Sequence, residues 1–274
     1  MARDFRLFLS FACLALAAAV TFGCGGGSLS PLPSGCTGPY DVVGPWQGTL
    51  TNASGNSVAL YGAIDSAGMA LFFNNSKPFA TGDTAELPTI TGACSFSGNM
   101  VVYAEPGGQH SGKVETDSAQ GNVNSPTSIT ASFIYSGTSY SGSISLSSFS
   151  PLNGTVTALQ GSMLGASGAV INGQAVLWPL TFTTGPGADM SFTGSPVNCA
   201  ISGTFTQVGT SNVFDVSITL AGTGCALTGT FSGLGFESDT DYFGLAGSAQ
   251  PPYLYADVLA SSSTFVLEIY PFGG

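Results

Sequence analysis

Residues 214–220 read FDVSITL, and their alternation decides the fold class. Phe214, Val216, Ile218 and Leu220 fall on one face of an extended chain, with Asp215, Ser217 and Thr219 on the other. Successive strand side chains point to opposite faces, so this pattern describes an antiparallel strand with one face buried and one wet. ITASFIY places Ile129, Ala131, Phe133 and Tyr135 together in the same way, and FVLEI sets Phe265, Leu267 and Ile269 against Val266 and Glu268. From Tyr40 onward such segments are bounded by Gly, Asn, Ser or Pro, and no stretch carries a helical period. Many short strands at near-regular spacing predict an all-β chain, with antiparallel β-meanders forming barrel- or sandwich-like modules.

Composition narrows the partners. Charged residues are 7% of the 274, and 39 glycines accompany a large share of Ser and Thr. Hydrophobic residues at 43% exclude a disordered chain, so Ser and Thr take the wet strand positions that Lys and Glu usually fill. The chain carries 4 Lys+Arg against 15 Asp+Glu. Beyond residue 23 the only bases are Lys77 and Lys113, which cannot build a phosphate-tracking surface. Nucleic acid is excluded as a partner, and so is peripheral binding to anionic lipid through basic residues.

The first residues predict another contact with a membrane. Arg3 and Arg6 precede an apolar stretch, Leu7–Val20, broken only by Ser10. That is short for a span, which needs about 20 apolar residues, and has the size and flanks of a secretory signal peptide. It ends at Gly23-Cys24, followed by the flexible run Gly25-Gly26-Gly27-Ser28. The arrangement resembles the lipobox of bacterial lipoproteins, in which a small residue precedes a cysteine that is diacylated and becomes the mature N-terminus. Thr21 and Phe22 depart from the aliphatic and small residues usual at those positions. Lipidation of Cys24 is the expectation, against plain secretion with a free or disulfide-bonded cysteine. Gly25 in place of an aspartate is what resemblance to lipoproteins sorted to the outer membrane implies.

Three stretches read as near-copies of one strand: Cys94-Ser-Phe-Ser-Gly-Asn-Met, Cys199-Ala-Ile-Ser-Gly-Thr-Phe and Cys225-Ala-Leu-Thr-Gly-Thr-Phe. In each, the cysteine, the bulky residue, the glycine and the last apolar residue share a face. A duplicated meander with halves meeting near 150–160 is one explanation, and biased composition is the other. Together with WQGT near the start, NVFDVSITLAGTGCALTGTF and LYADVL, these stretches resemble a group of uncharacterised Gram-negative outer-membrane lipoproteins, most clearly over residues 199–259. The resemblance carries no activity to transfer.

Cys13 leaves with the signal peptide and Cys24 takes lipid, which leaves four cysteines for disulfides in an oxidising compartment. The resemblance supports pairing Cys199 with Cys225, and a hairpin near Gly209-Thr210-Ser211 returns the chain toward the same sheet end. Cys36 and Cys94 pair by remainder. Two cysteines in strands flanking the 213–221 strand would stand about 9–10 Å apart. A disulfide reaches about 7 Å between Cα atoms, so one cysteine must sit at a strand end or bulge.

Catalytic chemistry finds little to build on. His110, the only histidine, lies in PGGQHSGK, and no G-x-S-x-G elbow occurs, so a nucleophilic triad is not expected. No two of the scattered acids stand out as a glycosidase pair. Glu237, Asp239 and Asp241 alternate in FESDTDYFG and are the sole candidate for calcium. The full twelve-residue loop pattern is missing, and a solvated turn is the expected reading. Gly44-Pro45-Trp46 resembles the G-x-W that opens the first strand of lipocalin-type barrels, where the Trp closes one end; plain core is the alternative. The outward positions are Ser, Thr and Asp, unlike the lipid-facing band of a membrane-spanning barrel.

The expected organisation is a signal peptide at 1–23, a tether at 24–38, and β modules at 39–155 and 156–274. The expected function is a non-catalytic binding or structural module without cofactor or metal, anchored by lipid to the periplasmic or cell-surface face of the outer membrane. The alternative is a carrier of a small apolar ligand. Gly98, Gly203 and Gly229 would open space inside a barrel, whereas Phe96, Phe205, Phe214 and Phe231 would fill it. The aromatic count predicts no large enclosed pocket, with function in surface loops or exposed strand edges.

Overall fold

Alternating sequence becomes sheet throughout the computed structural model, which describes residues 38–74, 84–103, 114–135, 137–146, 161–171, 174–184, 189–195, 198–225, 227–239, 253–260 and 263–271. The first eight strands are β1 (Gly44–Asn52), β2 (Ser57–Ile64), β3 (Ala70–Asn74), β4 (Thr84–Leu87), β5 (Ser95–Tyr103), β6 (Val114–Ser125), β7 (Ser128–Tyr135) and β8 (Thr138–Leu146). The second eight are β9 (Gly161–Ile171), β10 (Gln174–Thr184), β11 (Met190–Gly194), β12 (Ala200–Gln207), β13 (Val213–Ala221), β14 (Gly229–Ser238), β15 (Tyr253–Ala260) and β16 (Ser263–Pro271). Within each set every strand is antiparallel to the next, and the last pairs with the first. Trp46 stands opposite Leu146 where β8 meets β1, and Ile269 opposite Gly165 where β16 meets β9. The chain is all-β, and its meanders close as two up-and-down barrels.

Closure removes the unpaired strand edges that an open sandwich would leave. Of the two places where function was expected, exposed edges and loops, the barrels retain only the loops.

Inside each barrel the alternation holds. Trp46, Leu50, Phe72, Phe96, Met100, Ile129, Phe133 and Ile144 fill the first. The second is packed by Phe182, Phe192, Phe205, Phe214 and Phe231 among aliphatic neighbours. Its rings run in contact, with centroids 5.2 Å apart for Phe182–Phe192, 5.6 Å for Phe192–Phe205 and 6.0 Å for Phe205–Phe214. The glycines expected to open space do not. A Cβ at Gly203 would collide with the Phe192 ring, Pro88 lies beside Gly98, and Gly229 stands exposed at the start of β14 with φ +125°. Gly121, unremarked in the sequence, lies under the Phe96 ring.

The outer faces explain the scarcity of charge. One ladder row across the first barrel runs Ser57, Thr51, Ser141, Ser132, Gln120 and Ser97, without a charged residue. Cross-strand hydroxyls bond to each other, as in Thr51–Ser57 at 2.9 Å and Thr219–Thr230 at 3.0 Å.

The repeated strand motif needs correction. Its first copy runs into β5 and its second into β12, but Cys225, Leu227 and Thr228 of the third are not in a strand, and β14 begins only at Gly229. The copies lead into the fifth strand of one barrel and the fourth and sixth of the other, so they do not mark equivalent positions of two halves. The two eight-strand barrels do meet between Leu146 and Gly161, so the motif's positions and not the two-part organisation are what differ from the expectation.

The barrels also share a third core. Ala63, Leu71 and Phe73 on the outside of the first pack against Val213, Leu234, Phe236, Tyr253, Tyr255 and Val266 of the second. Phe73 lies 6.2 Å from Phe236 and 6.0 Å from Tyr255.

Candidate functional site

Trp46 enters the structure where β1 begins, and its indole N–H donates to the Val42 carbonyl at 2.9 Å. That bond holds the chain before β1 across the barrel end, where Val42, Ile64, Ala70, Leu87, Ile90 and Val123 are buried with it. The neighbouring loops are tied to the same end, with Tyr40 N–H donating to Gly92 O and Ile90 N–H to Gly68 O. Trp46 is buried at this barrel end as a member of the core, which is the plain-core alternative.

The opposite end is less filled. A recess there is lined by Val58 and Leu60 of β2, Phe72 and Asn74 of β3, Ala85 of β4, Met100 and Val102 of β5, and Phe133 and Tyr135 of β7. Asn74 and the hydroxyl of Tyr135 are its polar groups. Its free volume is about 20 Å³, room for roughly one water, far below the 300 Å³ or more of a typical ligand pocket. Phe133 stacks on Tyr140 at 5.7 Å, and Tyr135 meets Tyr140 edge-on at 6.5 Å, forming an aromatic side to this mouth.

Carboxyl groups gather at the joint between barrels. Asp215, Leu234 and Asp257 share one ladder row on the outer face of the second barrel. Asp257, 1% exposed, accepts from Thr84 Oγ1 of β4 at 2.7 Å. Partial burial, and secondarily the charge of Asp65 in the turn after β2, holds the Asp215 carboxyl above its usual range. On β4, Glu86 accepts from the Tyr103 hydroxyl at 3.0 Å; burial and this bond push the phenol up to about 12. Every lysine and arginine, and His110, lies outside the described residues.

The expected disulfide is present: Cys199 bonds Cys225, with Cα atoms 4.8 Å apart. The strand-spacing difficulty is met at both partners, since Cys199 immediately precedes β12 and Cys225 lies in the loop after β13. That loop folds back over Asn198, whose carbonyl accepts from Gly224 N–H at 3.0 Å. Gly222 makes the reversal with φ +126°, where any Cβ would strike Asn198 O. Cys94 is also disulfide-bonded. Cys36, its expected partner, lies outside the described residues, as do Cys24, His110 and Asp241.

The acidic run is only in part the solvated turn that was expected, and Glu237 is the residue that departs from it. Glu237 is buried within β14, 6% exposed, while Asp239 is exposed just beyond the strand's end. Among the described residues no three potential ligands could hold a metal ion. The sequence reading also missed the joint. Its signal was the loss of alternation in ALFF at 70–73 and YLYADVL at 253–259, where both faces are apolar because both are covered. Compared with known proteins, the chain matches no family model, no curated protein and no solved structure.

Proposed function

We propose that the protein is a non-catalytic binding or structural module, secreted and held at the outer membrane through acylated Cys24. The observation that supports it is the packing of the described side chains into a core inside each barrel, with a recess of about 20 Å³ at the open mouth of the first. Two barrels locked by a common core form a rigid unit that presents hydroxyl-rich walls and end loops to a partner. The runner-up, a carrier of a small apolar ligand, is favoured by the apolar lining of that same recess, which would have to widen on binding.

One preparation tests both parts. Full-length protein should partition into detergent, and Cys24→Ser should move to the aqueous phase with an unchanged β-sheet circular dichroism spectrum. Detergent partitioning of the folded serine variant would overturn the anchor. Titration of the soluble variant with an apolar fluorescent dye should give weak, non-saturable binding. Tight one-to-one binding, lost in Met100→Trp, would put the carrier first.

A further inference from the structure

The two barrels differ at equivalent points. The sixth strand of the first, β6, places fully buried Val123 inward at the end where β1 begins. The sixth strand of the second, β14, places Glu237 at the corresponding end, where β9 begins. Its inward direction follows from the ladder. Phe231 on the same face belongs to the barrel core, and a Cβ at Gly235 would touch Val216 and Phe205, both core residues.

The surroundings of Glu237 are apolar. It is paired with Leu254, which is paired with Ile269, and both are fully buried in the barrel core. Phe214 lies opposite Gly235, one position below. The nearby amide is already engaged, since Gln207 donates from Nε2 to Ser211 O at 2.9 Å and from its backbone N–H to Asp189 Oδ1 at 3.2 Å. The backbone N–H of Glu237 donates to Asn212 O, and no described residue hydrogen-bonds its carboxyl.

The titratable groups on the packed elements are Asp215 of β13 and Tyr253, Tyr255 and Asp257 of β15, all on the outer face by alternation. Asp189 before β11 and exposed Asp239 after β14 are the others among the described side chains, Glu268 and Tyr270 of β16 alternate with inward Leu267 and Ile269, and none of these groups is cationic. A carboxyl in such a place is costly to ionise without a partner.

We propose that Glu237 is a proton-operated latch at this end of the second barrel. Protonated, it packs as a neutral group beside Leu254 and Ile269. Ionised, its carboxylate draws water into the end layer and loosens the strand ends of β12, β13, β14 and β15. Burial alone pushes the Glu237 carboxyl up from 4.5 to about 7, which places the transition near neutrality. The folded state holds the proton more tightly, so its contribution is full below about 4.5, falls as pH rises, and is gone above about 7. The latch does not depend on the function proposed above.

Hydrogen exchange of the full chain, corrected for intrinsic rates, tests it at pH 5.5 and 8.5. Protection in 207–214 and 235–238 should fall about tenfold or more with rising pH. The first barrel should hold its protection, and Glu237→Gln should abolish the difference. Unchanged protection in the wild type, or an equal fall in the variant, would overturn the latch. Should the variant not fold, carboxyl ¹³C titration of wild-type Glu237 decides: a midpoint near 7 supports the proposal and one below about 5.5 refutes it.

Discussion

A buried indole N–H needs an acceptor, and at Trp46 the acceptor is a carbonyl four residues back. One side chain therefore plugs the barrel and fixes the path by which the chain enters it. Trp46→Ala should cost about 3–5 kcal/mol in denaturant unfolding, through lost volume and a partly collapsed end. Trp46→Phe should cost about 1–2 kcal/mol, because most of the ring remains while the Val42 carbonyl loses its donor. The three-residue pattern at 44–46 left the closing role and plain core side by side, and only the packing places Trp46 at the barrel end. The glycines were not legible, since whether Gly203 opens a cavity or receives the Phe192 ring depends on a neighbour that local sequence does not name. Glu237 was read as a turn for a similar reason: an acid beside Asp239 and Asp241 looks solvated until the ladder places it against Leu254.

At the scale of elements, the loop from Gly222 to Thr228 shows how one cross-link changes the reading of a motif. Cys225-Ala-Leu-Thr has the spelling of the earlier strands, yet its cysteine is held beside Cys199 at the start of β12. The chain must cross the barrel end before β14 can begin at Gly229. The disulfide spans a sequence separation of 26, for which loop-closure entropy gives about 3.5 kcal/mol. Replacing both cysteines by serine should lower unfolding free energy by roughly that amount in the second barrel, measured by denaturant titration against the oxidised wild type. A change below about 0.5 kcal/mol would show that Gly222 and Asn198 hold the loop unaided.

For the whole molecule, the joint decides whether two barrels behave as one body. Phe73 reaches across to Phe236 and Tyr255, which stack on each other at 5.3 Å, and the Thr84–Asp257 hydrogen bond closes one flank. This much shared apolar surface should couple the barrels, so the wild type should unfold in a single calorimetric transition. Phe73→Ala combined with Phe236→Ala should split it into two, with both barrels retaining their sheet content. A wild type that already unfolds in two steps would show that the joint is weaker than its packing suggests. The sequence alone determined that the chain is all-β and which side of strands such as β7 and β13 is buried, because side-chain alternation is a local property of an extended backbone. Only the tertiary structure decided that the meanders close as barrels and that the outer faces of β2, β3, β14 and β15 are buried. Those outcomes rest on contacts between residues distant in the chain, Trp46 with Leu146, Phe73 with Phe236 and Thr84 with Asp257, to which no local period is sensitive.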